Sequence, residues 1–169
     1  MGKMKLSLQS SNVRPHWTER ILSICVGETR VSRVIVHLQF TAWPGSSFPA
    51  SPGPFLSLVC EALTFYCQQR AASHPVVVHC LSGVGRTGLF VLATAAVCEV
   101  QAGQGLLDLV PTASTMSASR KNSLRDREHL KFAYQAVLYY AQDFLMKREL
   151  FLCTIVTCPN VLSGRLILV

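Results

Sequence analysis

Three contiguous valines, Val76, Val77 and Val78, run into Cys80 and then into a glycine-spaced turn that ends at Arg86, Thr87 and Gly88. This stretch constrains the fold more than any other. An unbroken β-branched run reads as a strand buried on both faces. Beyond the turn, Leu89, Phe90, Leu92, Ala93, Ala96, Val97 and Val100 recur at helical spacing, which predicts a helix from about Thr87 to Ala102. Gly103-Gln104-Gly105 stops it. Gly83, Gly85 and Gly88 let successive backbone N–H groups point into one concavity. The helix N-terminus adds its partial positive charge, so the turn makes an anion site built largely of backbone.

Cys80 and Arg86 face that concavity with five residues between them. A thiol there has a depressed pKa and is a ready nucleophile. Arg86 can fork onto two phosphate oxygens, which lysine cannot do. Together they suit phosphoryl transfer through sulfur, with Leu81, Ser82, Gly83, Val84, Gly85 and Arg86 as the substrate-binding surface. Thr87 places a hydroxyl near the sulfur, and His79 either orients the turn or is a core histidine. Two other readings compete. Gly83 to Gly88 formally matches G-x-G-x-x-G, with Asp108 twenty residues on, as in a dinucleotide site. That reading has no need of Cys80 or Arg86, and it leaves a long stretch before the motif unexplained. Cys80 as a merely buried thiol would make Arg86 and three glycines in register a coincidence.

The stretch from His79 to Gly88 resembles the signature of the protein tyrosine phosphatases, His-Cys-x-x-Gly-x-Gly-Arg-Ser/Thr-Gly, at every fixed position. Upstream, Val34 to Pro44 resembles the strand leading into that family's mobile Trp-Pro-Asp loop. Downstream, Arg120 to Arg125 and Phe132-Ala133-Tyr134 resemble its glutamine loop and last helix. The spacing most resembles the divergent catalytic domains of the Bro1-domain, or His-domain, non-receptor tyrosine phosphatases. The match covers about residues 17 to 142.

The resemblance implies an α/β fold: a mixed, twisted sheet flanked by helices, N-terminally truncated, holding the C-terminal half to two-thirds of the domain. It implies hydrolysis of protein phosphotyrosine, with Cys80, Arg86, Thr87 and His79 as catalytic residues and no cofactor. Three departures count against full activity. The loop reads Trp43-Pro44-Gly45, so the family's acidic residue is a glycine. Arg125 and His129 stand where the family has glutamines, and the half carrying the phosphotyrosine-recognition loop is missing. Asp126 and Glu128 are candidate substitute acids. The alternative is a weak or inactive phosphatase-like module that binds phosphotyrosine or a protein partner.

The remaining sequence bounds the reading. The 169 residues suggest one domain, divided into an N-terminal extension (1–16), a partial catalytic domain (17–147) and an apolar tail without family counterpart (148–169). Residues 18–25 and 31–40 read as a hairpin, 55–69 as a helix and 124–147 as a long helix burying Leu130, Ala133, Tyr134, Val137, Leu138 and Ala141. Residues 106–118 are ambiguous, because Pro111 interrupts a helical pattern. Seven cysteines without a CxxC pair, and five histidines without ligand spacing, argue against a metal site or a disulfide framework. Reduced thiols fit a cytoplasmic protein. A net charge of +7 suits phosphopeptides, acidic lipid headgroups or acidic proteins, but the lack of aromatic interleaving argues against nucleic acid. Pro159, Asn160 and Arg165 argue against a membrane span in the tail, and no signal peptide is read.

Overall fold

A computed structural model describes residues 4–27, 32–68, 74–124 and 126–150, with side chains to residue 147. The chain divides into two compact units, Met1–Ala50 and Ser51–Val169. With a sheet in the first and helices in the second, it is an α/β protein, as expected.

The first unit is an antiparallel sheet of three strands in the order β1 (Met4–Val13), β2 (Trp17–Val26), β3 (Ser32–Phe40). The two strands expected of the hairpin are β2 and β3, paired from Trp17↔Phe40 to Cys25↔Ser32. The stretch read as an N-terminal extension contributes β1, whose register against β2 shifts between Leu8 and Ser10. Its alternating Lys5, Ser7 and Gln9 gave no run of β-formers to read. After β3, Trp43 packs edge-on against both Phe40 and Phe48, which anchors the proline-rich loop to the end of its own strand.

The second unit is built around α2 (Gly85–Gln101), which packs against α1 (Gly53–Gln68), α3 (Leu109–Ser119) and α4 (Arg127–Leu150). Leu89, Leu92, Ala93, Ala96, Val97 and Val100 are all buried on α2, the positions its periodicity picks out. Burying leucines like these stabilises by about 1.5–3 kcal/mol each. Phe55 of α1 meets Phe90 of α2 and Phe132 of α4 edge-to-face, at 6.2 and 5.7 Å between centroids. The end of α2 is a paired-carbonyl cap. Gly103 adopts φ +74°, its N–H donates to Val100, and the N–H of Gln104 donates to Glu99.

Several expectations need correction. The sheet is antiparallel among the described residues, not mixed, and Val76–Val78 form no strand in it: Val78 makes one isolated bridge and Val77 is 56 % exposed. A β-branched run shows propensity, but a strand also needs partner backbone, and the sheet pairs sequence neighbours instead. Residues 109–119 are helical despite Pro111, which falls in the first turn of α3, where its missing N–H costs nothing. Asp108, weighed above as a ribose ligand, caps that helix by accepting from the Val110 N–H at 3.1 Å. On α4 the buried residues include Phe132, Ala133, Ala136 and Val137, while Tyr134 and Leu138 are exposed. Cys25, Cys60, Cys80 and Cys98 are free thiols, whereas Cys67 is disulfide-bonded, against the expectation of reduced cysteines. A pairing without CxxC spacing leaves nothing to read in sequence. The apolar tail from 151 onward lies outside the described residues.

Candidate active site

The loop from Cys80 to Val84 delivers the chain into the N-terminus of α2. Val84, at the cap position, has no side-chain oxygen to offer, and no side-chain cap bond forms there. The first-turn N–H groups are therefore left to other acceptors. One of them is the Cys80 sulfur. The Thr87 hydroxyl donates to Cys80 Sγ at 3.1 Å, and the backbone N–H groups of Thr87, Gly83 and Ser82 also point to it. Burial alone would push this thiol up, but the four hydrogen bonds outweigh it and the net effect is a lowered pKa. Thr87 is only 2 % exposed, so its hydroxyl is a buried donor already committed to sulfur.

Cys80, Leu81, Ser82, Val84, Gly85 and Arg86 line one cavity of about 440 Å³, together with Asn122, Asp126 and His129. Of the sequence-derived site residues, Gly83 and Thr87 lie buried behind this lining, and His79 is exposed and outside it. Leu81 is fully exposed at the loop tip, an apolar side chain on the cavity rim. Arg86 is exposed at the start of α2, beside the sulfur loop.

The three glycines do more than free backbone donors. A Cβ at Gly83 would stand 2.6 Å from the Arg120 guanidinium, one at Gly85 2.6 Å from His129 Nε2, and one at Gly88 2.6 Å from Ser123 Oγ. Each glycine is thus where the segment from 120 to 129 presses onto the sulfur loop. Gly83 also needs its glycine for φ +67°. The segment reaches down through two left-handed residues, Asn122 (φ 68°) and Leu124 (φ 54°). It is tied there by bonds from the Leu124 N–H and the Ser123 hydroxyl to the Val84 carbonyl, both 3.4 Å, and from the Ser117 hydroxyl to the Ser123 carbonyl. The sequence places Arg120, Asn122 and Ser123 within the glutamine-loop match, with no site role assigned to any of them.

His129 sits in the first turn of α4, with Nδ1 4.0 Å from Asp126 Oδ2. Burial lowers its pKa most. Asp126 raises it, the Arg86 guanidinium lowers it, and a hydrogen bond to the Asp126 backbone raises it, for a net lowering. No cluster of His, Cys, Asp or Glu among the described residues could hold a metal ion.

A sulfur whose pKa is lowered by a nest of backbone donors, with an arginine in the same cavity lining, suits the binding of an oxyanion. Comparison with known proteins agrees. A family profile described as "Protein-tyrosine phosphatase" matches residues 1–139. Tyrosine-protein phosphatase non-receptor type 23 of Mus musculus is 38% identical over 146 residues, covering 86% of this chain and 9% of that protein. The Homo sapiens protein of the same description is also 38% identical over 146 residues, with the same coverage. Tyrosine-protein phosphatase non-receptor type 7 of Rattus norvegicus is 32% identical over 140 residues, covering 83% of this chain and 38% of that protein. This chain belongs to the protein-tyrosine phosphatase family. It spans well under half the length of these relatives.

Proposed function

We propose that this chain hydrolyses protein phosphotyrosine through a cysteinyl-phosphate on Cys80, at a rate lowered by the glycine at position 45. The observation that carries the reading is the Cys80 sulfur, which takes hydrogen bonds from the Thr87 hydroxyl and three backbone N–H groups. Hydrogen bonds that favour the thiolate make the sulfur a readier nucleophile toward phosphorus. Sulfur bonds to phosphorus as the phenolic oxygen departs with its electron pair, and Arg86 with the loop N–H groups holds the equatorial oxygens. The Thr87 hydroxyl then steadies the sulfur as it leaves again. The exposed Leu81 on the cavity rim supports an aromatic substrate, and the exposed Lys121 and Arg127 support an acidic partner surface around it. Among the described residues no helix is long and apolar enough to cross a membrane.

Gly45 supports both the slowed rate and the second reading, a module that binds phosphotyrosine or a protein without efficient turnover. A phenolate leaving group has a pKa near ~10, and a positioned acid is worth roughly 10²- to 10⁴-fold. The test compares phosphotyrosine with aryl phosphates of more acidic phenols, in the natural chain and in Gly45→Asp. Gly45 adopts φ +54° with open space around a Cβ, a conformation that aspartate tolerates at modest cost. Turnover should rise steeply with leaving-group acidity, and Gly45→Asp should help phosphotyrosine more than the activated ester. A shallow dependence with a large loss on Asp126→Asn or Glu128→Gln would move the acid to that turn. Oxyanion binding without turnover of any ester would favour the binding module.

A further inference from the structure

The reading above leaves the second half of the reaction without a proton acceptor. Hydrolysis of a cysteinyl-phosphate needs a water deprotonated as it attacks, and Gly45 has no carboxylate to receive the proton. Besides the thiol and Arg86, two titratable groups line the cavity beside Cys80, Asp126 and His129, of which the imidazole is the stronger base. His129 lines it together with Cys80 and Arg86, and its side chain is 18 % exposed, open enough for water to reach.

Its ring stands between Asp126 and Gly85. On one side stands Asp126, whose carboxylate is itself oriented: Oδ1 accepts from the Glu128 N–H at 3.0 Å, at the start of α4, and Oδ2 lies 4.0 Å from His129 Nδ1. The nearby carboxylate favours the tautomer with its proton on Nδ1. On the other side, Nε2 abuts Gly85, so close that a Cβ there would collide with it at 2.6 Å. Gly85 is the first residue of α2 and part of the sulfur loop's cavity. Nε2 thus meets the cavity wall at Gly85, a wall that Cys80 and Arg86 also line. Among the described residues, the charged groups bearing on the ring are Asp126, from the turn before α4, and Arg86, from α2.

We propose that His129 is the general base of dephosphorylation, with Asp126 as its positioning residue, a role that rests on the phosphocysteine reading given above. The water oxygen forms its bond to phosphorus while the phosphorus–sulfur bond breaks. The bonding pair returns to Cys80 as thiolate, and the water proton passes to His129 Nε2. Asp126 stabilises the resulting imidazolium, which then releases its proton to solvent. Burial and Arg86 keep the resting imidazole neutral at neutral pH, as a base must be.

The experiment uses 2,4-dinitrophenyl phosphate, whose leaving group needs no acid, so that phosphorylation of Cys80 is fast and its hydrolysis is isolated. Rapid quenching follows phosphocysteine, and the steady-state rate follows its breakdown across pH. The natural chain should give a burst, then a steady rate that falls as the pH drops through the His129 titration. His129→Ala should keep the burst and accumulate phosphocysteine. Its steady rate should be lower by roughly 10²-fold or more, without the acid limb, and partly restored by added imidazole. His129→Gln fills the same space against Gly85 without comparable basicity and carries the same expectation. Asp126→Asn removes the charge that favours the imidazolium, so it should move the acid limb to lower pH. Steady rates and pH profiles equal to the natural chain's in both His129 variants would overturn the proposal alone. No phosphocysteine in the natural chain would overturn the reading of the site and this proposal with it.

Discussion

Gly88→Ala tests whether the glycines of the loop are contacts rather than hinges. Gly88 lies in the first turn of α2, in a helical environment that alanine would normally improve by about 1 kcal/mol. Against this, the new Cβ would stand 2.6 Å from Ser123 Oγ, 3.0 Å from Leu124 Cγ and 3.3 Å from Leu124 Cδ2. Neither neighbour can move cheaply. Ser123 is 2 % exposed, and its hydroxyl and the Leu124 N–H both bond to the Val84 carbonyl. Overpacking of this kind costs about 1–3 kcal/mol, and pinned neighbours put it in the upper half of that range. The net is a loss of about 1–2 kcal/mol, or a drop in Tm on the order of 4 °C for a chain of this length. Thermal and denaturant melts measure it directly. Ser123→Ala in the same chain removes the nearest atom, so the double variant should recover part of the loss, a coupling on the order of 0.5 kcal/mol or more. A Gly88→Ala chain as stable as the natural one, or no coupling to Ser123→Ala, would refute the close-approach argument.

Alkylation should sort the thiols by their surroundings. Cys80 should react first, with a midpoint below the ordinary ~8.5 of a free thiol. Cys98, pushed up to about 11 chiefly by burial and then by Glu99, should stay inert at pH 8. A Cys80 midpoint at or above the ordinary value would remove the anion nest. The sign is opposite for stability at Cys98. With its folded pKa raised, its contribution is fully present below the ordinary thiol range and is lost as the pH rises toward about 11. Melts of the natural chain should therefore weaken over that alkaline window, and less so in Cys98→Ala. Arg86→Lys keeps the charge but not the fork, so vanadate affinity should fall by at least tenfold, while Lys121→Ala, outside the cavity lining, should change it little. Equal affinity in natural chain and Arg86→Lys, measured by calorimetry, would argue for a structural arginine.

The loop and α2 were legible because their determinants are local. A glycine-spaced turn, a helical apolar stripe and a glycine stop all lie within one continuous stretch. What failed was non-local. Val76–Val78 had the composition of a central strand, but pairing depends on backbone elsewhere in the chain. On α4, apolar residues occur nearly all round between Phe132 and Tyr140, so periodicity could not choose a face. Contact of Phe132 with Phe55 chose it. The glycines were read for backbone donors, yet the atoms that exclude a side chain belong to Arg120, Ser123 and His129, beyond the far end of α2. His129 was visible only as a departure from a family pattern. Its pairing with Asp126 depends on where α4 begins, and that depends on the turn through Asn122 and Leu124, whose left-handed backbone no propensity predicts for leucine.

The central claim is that Cys80 attacks phosphorus. A single turnover with a phosphotyrosine peptide, quenched in acid and mapped by peptide mass, measures this directly. Phosphate should appear on Cys80 in the natural chain, not at all in Cys80→Ser, and more slowly in Thr87→Ala, which loses the 3.1 Å hydroxyl bond to sulfur. A folded chain that binds the peptide but never carries phosphate on Cys80 would contradict the claim.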